Sequence, residues 1–166
     1  MFAYFEFAFI IIVYNFCPGL GMGNLVKTYP NFGPDFTITF DIKITKMPAG
    51  WHNVLHMMGY PDCCGEGSRI PGVWLNSSYG KPYILIDIVM KGQLQKFSKV
   101  LEMNKQYYVE LVLASGIFTI RINGDQVWQV EAGIATYKNV KYYLSSPGIA
   151  SAGNVAIMSM PKIQLG

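Results

Sequence analysis

The sequence predicts an all-β fold, a two-sheet antiparallel β-sandwich, and three observations carry that expectation. Residues 36–45 alternate strictly, with Phe36, Ile38, Phe40, Ile42 and Ile44 set against Thr37, Thr39, Asp41, Lys43 and Thr45. That is the period of a strand with one face in a core and the other in water. Asn123-Gly124 lies between Ile120-Arg121-Ile122 and Gln126-Val127-Trp128-Gln129-Val130, and two residues that tolerate positive φ between apolar runs make a tight hairpin. Short strand-like runs recur about every 8–12 residues with turn residues between them, the spacing of a sandwich or barrel. No stretch sustains a helical period with caps.

Taken in order, residues 24–29 begin an extended segment, and Pro30-Asn31-Phe32-Gly33-Pro34-Asp35 reads as a turn, built from residues that fix or free the backbone. After the alternating strand, Met47-Pro48-Ala49-Gly50 turns the chain and residues 51–58 resume a strand. Residues 63–75 fit no simple strand or helix rule; beyond them residues 71–76 form a short strand and 76–82 a polar loop. Residues 83–90 are apolar on both faces except Asp87, which predicts a central, covered strand. Lys91-Gly92-Gln93 is a turn, residues 94–100 a partly exposed strand, and residues 107–113 and 117–122 two strands separated by Ser115-Gly116. Residues 137–144 and 154–163 supply the last two strands, with a turn at Ser145-Ser146-Pro147-Gly148.

Composition agrees with a single domain. At 51% hydrophobic and 14% charged residues, a core can be buried without staples or metal, and disorder is excluded. The net charge of +3 comes from singly scattered lysines, with Lys91, Lys96 and Lys99 the densest group. This is a solvated surface rather than a phosphate track, so no nucleic-acid partner is expected.

Residues 2–16 differ in kind, being apolar except for Glu6 and Asn15, and small residues sit two apart from Cys17 to Gly23. A short apolar run followed by a breaker and small-x-small is the pattern of a secretory signal peptide. The division is therefore 1–23 as a leader or a retained hydrophobic segment and 24–166 as one domain. Because the leading residues carry Glu6 in place of Lys or Arg, two alternatives stay open, a hydrophobic anchor and an aromatic strand that pairs with the sandwich. A membrane enters only if the segment is retained. In a secreted chain Cys63 and Cys64 would join in a vicinal disulfide or bridge to another chain.

The residues that carry a family resemblance are Phe36 to Lys43, Trp51-His52-Asn53-Val54-Leu55-His56 and Cys63-Cys64. With them go Gly67-Ser68-Arg69-Ile70-Pro71-Gly72-Val73-Trp74, Ile120 to Asp125, and Tyr137 to Tyr143. Together they resemble the concanavalin A-like lectin and glucanase family, in the laminin-G-like jelly-roll form of small secreted invertebrate proteins. The resemblance implies a jelly roll, secretion and an extracellular role, and it leaves activity to the site, since this scaffold hosts lectins, hydrolases, adhesion modules and structural subunits.

A retaining glucanase of this fold needs two carboxylates about 5–5.5 Å apart, spaced by two along a strand, and no strand carries that pair. The sequence is therefore expected to lack enzymatic activity and to be a binding module for glycans or an extracellular protein, with a homo-oligomer left open. The alternative is a structural subunit assembling through residues 2–16, and a glycoside hydrolase is the distant third. No cofactor is expected; for calcium, Asp62, Glu66 and Asp125 offer oxygens but are read as ordinary loop acids. His52 and His56 lie four residues apart, about 13 Å along a strand, too far for one metal. Trp51, Asn53, Tyr60, Arg69 and Tyr79 are the candidate ligand-binding residues. Trp51 offers an indole face for a sugar, Tyr60, Tyr79 and Tyr83 flank it, and Trp74 is read as core. Arg69 is read first as a guanidinium that ties loop carbonyls, and second as a ligand contact. The Cys63–Cys64 ring would stiffen the loop ahead of Arg69.

Overall fold

The computed structural model describes residues 23–60, 65–145 and 149–166. The leader at 1–22, the Cys63–Cys64 disulfide and most of the turn at 145–148 lie outside the described residues.

Among the described residues, thirteen strands and one 3-10 turn form two facing sheets, antiparallel except for the short parallel pairing of residues 150–151 with residues 52–53. The strands are β1 (Asn24–Phe32), β2 (Phe36–Ile44), β3 (His52–Met58), β4 (Gly72–Ser78), β5 (Lys81–Met90), β6 (Gln93–Val100) and β7 (Gln106–Ala114). They continue with β8 (Ile117–Ile122), β9 (Asp125–Glu131), β10 (Tyr137–Ser145), β11 (Ala150–Ser151), β12 (Ala156–Met158) and β13 (Lys162–Leu165). The seven-stranded sheet runs β1-β10-β3-β4-β5-β6 with β11 alongside β3, and the six-stranded sheet runs β12-β2-β7-β8-β9 with β13 alongside β2.

The core lies between the sheets and is built by alternation. On β2 every second side chain from Phe36 to Ile44 is buried and every intervening one is partly exposed, as the sequence predicts. These residues meet Val54, Leu55, Met57, Val73, Leu75, Ile84, Ile86 and Ile88 of the opposite sheet in one cluster. Four hairpins close on two-residue turns: Tyr79-Gly80 (φ 49°, 71°), Lys91-Gly92 (53°, 69°), Ser115-Gly116 (51°, 79°) and Asn123-Gly124 (55°, 88°). Positive φ at both positions matches the right-handed twist of the flanking strands, and glycine at the second position removes the steric cost.

Three expected boundaries move. The polar stretch 76–82 is not a loop, because β4 and β5 pair through it as far as Ser78 opposite Lys81. Its polar side chains belong to the exposed end of a hairpin, where pairing needs backbone groups and not apolar ones. The turn expected at 30–35 starts later, since β1 pairs with β10 through Phe32 opposite Tyr137. Pro30 is tolerated there because, among the described residues, β1 is an edge strand with one side of its ladder unused. The single strand expected over 154–163 splits into β12 and β13, which pair with different halves of β2; Pro161, between them, can donate no ladder bond.

Replacing Phe40 by alanine, at 1% exposure in the middle of this cluster, is expected to lower stability by about 3–5 kcal/mol. Tyr79→Ala, at a fully exposed turn position, should change it by less than about 0.5 kcal/mol. Urea denaturation of the two variants beside the unaltered protein checks both.

Candidate functional site

The same alternation that fills the core aims a second set of side chains at the outer face of the seven-stranded sheet. On β4, Val73 and Leu75 point inward and Trp74 points out; on β5, Ile84, Ile86 and Ile88 point inward while Leu85 and Asp87 point out. Backbone register then lines up His56 opposite Gly72, Gly72 opposite Asp87, and Asp87 opposite Lys96, a row across four adjacent strands. Tyr143 of β10 extends the row beyond His56.

Residues 69–71 continue the line of β4 between β3 and β5. Ile70 N–H donates to Met57 and Met57 N–H to Pro71, both at 2.9 Å, and Val89 N–H donates to the Arg69 carbonyl at 2.8 Å. The Glu66 carboxylate accepts from the Tyr137 hydroxyl and from Gly92 N–H, clipping the loop to the β5–β6 turn. Partial burial raises the Glu66 pKa, but these hydrogen bonds outweigh it and hold the carboxyl below its usual range.

Arg69 is thereby brought over the sheet. Its Nη1 donates to Asp87 Oδ2 at 2.5 Å, with the Asp87 side chain fully buried and that of Arg69 21% exposed. Trp74 Nε1 donates to the other Asp87 oxygen at 3.1 Å, and the guanidinium lies 5.7 Å from the Trp74 ring centroid. Burial pushes the Asp87 carboxyl up, opposed by the Arg69 and Lys96 charges and the Arg69 and Trp74 hydrogen bonds. Two donors on its two oxygens fit the ionised form, since only a carboxylate accepts on both without offering a proton. Gly72 permits the meeting, because a Cβ there would lie 2.6 Å from Asp87 Oδ1 and 2.9 Å from Trp74 Nε1.

His56 lies beside this cluster, its ring 5.1 Å from that of Trp74 and edge-on to it. Its Nε2 lies 2.6 Å from the Ser68 carbonyl, which can only accept, so the proton sits on Nε2 and Nδ1 carries the lone pair. That Nδ1 is buried with no hydrogen-bond partner among the described residues. Burial lowers the His56 pKa, and the Arg69 charge lowers it further against the opposing Ser68 bond; in neutral solution the imidazole is uncharged.

A cavity of about 240 Å³ opens over the row, lined by Trp51, Arg69, Trp74, Leu85, Asp87, Lys96 and Ile149. A larger one, about 450 Å³, lies away from it between the 91–92 and 115–116 turns, with Ile88, Met90, Ile117 and Ile134 among its walls. It holds no arginine, histidine or aromatic side chain, so the smaller cleft is the candidate site.

Of the residues singled out from sequence, Trp51 and Arg69 line the cleft. Trp51 is 46% exposed and meets Tyr83 edge-on at 6.1 Å. Asn53 is fully buried, and its amide donates to the Leu55 and Val73 carbonyls at 3.0 and 3.1 Å. The β3–β4 register slips between Asn53 and Leu55, and the amide satisfies carbonyls around that bulge. Tyr60 and Tyr79 are exposed outside the lining. Arg69 pairs with a carboxylate rather than with loop carbonyls, because the loop satisfies its own backbone through β3 and β5. Trp74 belongs to the cleft and not to the core between the sheets, since its neighbours Val73 and Leu75 take the inward positions. Asp87 carried a usable signal, a lone acid in an otherwise apolar strand, which must find a partner when buried. Among the described residues no group of three or more His, Cys, Asp or Glu side chains is placed to hold a metal ion.

No family model matches the sequence, and no curated protein does. Solved structures do share its fold, and they define its class as a jelly-roll β-sandwich. The alginate lyase of Alteromonas sp. 272 is 9% identical, with a TM-score of 0.52 over 78% of this chain and 71% of that one. The marine alginate lyase AlyA1 of Zobellia galactanivorans is 17% identical, with a TM-score of 0.52 over 80% of this chain and 62% of the other. A heptameric SAP-like pentraxin from Limulus polyphemus is 12% identical, with a TM-score of 0.53 over 84% and 67%.

The likeness is one of fold, and it corrects the expectation of a non-catalytic binding module. That expectation rested on the missing pair of strand carboxylates. Two of these jelly rolls are lyases, and the carboxylate pair is a requirement of glycoside hydrolysis, not of elimination. Its absence therefore does not make the chain inert.

The histidines make a test of burial. Burial lowers both His52 and His56 below the ordinary value of 6.5, so the unfolded chain binds protons that the folded one refuses. The stability this contributes is complete above pH 6.5 and is lost as pH falls through the lowered folded values. Thermal melts on acidification should show a falling midpoint, and His56→Gln should flatten part of that fall.

Proposed function

We propose that the chain is a carbohydrate-active protein that takes an acidic polysaccharide along the outer face of the seven-stranded sheet and breaks it by β-elimination. The observation that carries this reading is the Arg69 guanidinium, fixed over Trp74 by a buried carboxylate at the floor of a cleft walled by Trp51 and Lys96. Indole faces suit the apolar side of a sugar ring. A guanidinium held in one orientation suits a planar carboxylate, and one donor to Asp87 leaves others free.

The chemistry follows from the charges. A uronate carboxylate that accepts hydrogen bonds from the remaining Arg69 donors makes the hydrogen on the adjacent ring carbon more acidic. A base removes that proton, the electron pair forms the C4–C5 double bond, the C4–oxygen bond breaks, and the departing oxygen takes up a proton. His56 is the base this row offers, uncharged in neutral solution, its ring beside Trp74 and outside the residues that line the cleft. Hydrolysis is the poorer fit, since Asp87 is the one carboxylate lining the cleft among the described residues, and it is already paired.

Incubation with alginate should release chains with an unsaturated end, read as a rise in ultraviolet absorbance. Arg69→Ala should reduce the rate by about 100-fold or more, the scale of losing a preorganised charge contact. New reducing ends without the absorbance would replace elimination by hydrolysis, and no new ends from any acidic polysaccharide would refute cleavage.

A further inference from the structure

The cleft's cations are not equivalent. Arg69 spends its charge on Asp87 at 2.5 Å, so that pair is close to neutral when seen from the cleft mouth. Lys96, opposite Asp87 on the neighbouring strand, is exposed and makes no hydrogen bond or ion pair among the described residues. Arg69 and Lys96 against Asp87 leave one net positive charge in the lining, and it resides on Lys96. Asp87 feels that charge as well, but Lys96 Nζ does not reach it within ion-pair distance.

We infer that Lys96 is the specificity-determining residue of this cleft: it selects carboxylated over neutral sugar chains, while Arg69, held by Asp87, orients a carboxylate already selected. The inference rests on the polysaccharide reading of the cleft and adds a division of labour to it. An exposed charge on an edge strand acts through solvent, attracts at range and is screened by salt. A guanidinium clamped between a buried carboxylate and an indole acts at contact and is screened far less.

The test uses one backbone in two charge states, alginate and its methyl ester, with binding measured by calorimetry at low and high salt. The unaltered protein should prefer the acidic polymer by roughly tenfold at low salt, the preference shrinking as salt rises. Lys96→Gln should reduce that preference to less than about threefold and remove most of its salt dependence, Lys96→Arg should restore both, and Lys99→Gln, on the other face of β6, should leave both unchanged. A preference that survives in Lys96→Gln overturns the assignment of Lys96 and leaves the cleft reading standing. Binding of neither polymer by the unaltered protein overturns the cleft reading, and this inference with it.

Discussion

A carboxylate fully removed from water must be paired, and on this sheet the constraint falls on Asp87. Burying it alone would cost several kcal/mol. The surrounding features follow from meeting that cost. Trp74 donates to one oxygen and Arg69 to the other, and Gly72 gives up a side chain so that they can approach. Residues 65–71 are fastened to β3 and β5 by backbone hydrogen bonds that hold Arg69 in place.

Rigidity and reactivity are therefore joined. A guanidinium ordered before the substrate arrives loses little freedom on binding, which favours affinity and orientation together. The same crowding lowers His56, since burial and the nearby Arg69 charge both oppose its protonation. One ion pair thus sets the shape of the cleft and the reach of its arginine, and that arginine adds to the burial that lowers the neighbouring His56.

The sandwich was legible because alternation is local. A strand that buries one face must repeat every two residues, and β2 does so throughout. Turn chemistry was legible for a similar reason, since only a few residue types accept positive φ. The site was less so. Arg69 and Trp51 were visible as unusual residues in unusual places. Trp74 was misread, because Val73 and Leu75 hide that a strand's middle residue faces the opposite way. Lys96 was visible only as one of several scattered lysines, and Asn53 looked like a ligand contact although its amide serves a bulge.

What the sequence determined by itself is the class of fold, the sheet-facing set on each strand and most of the turns, since these depend on neighbours two residues apart and on backbone angles. Which residues form the cleft was decided by the tertiary structure. His56, Gly72, Asp87 and Lys96 stand in one row only because four strands pair in a particular register. Pairing of that kind is set by packing across the whole sandwich, and no local spacing along the chain encodes it.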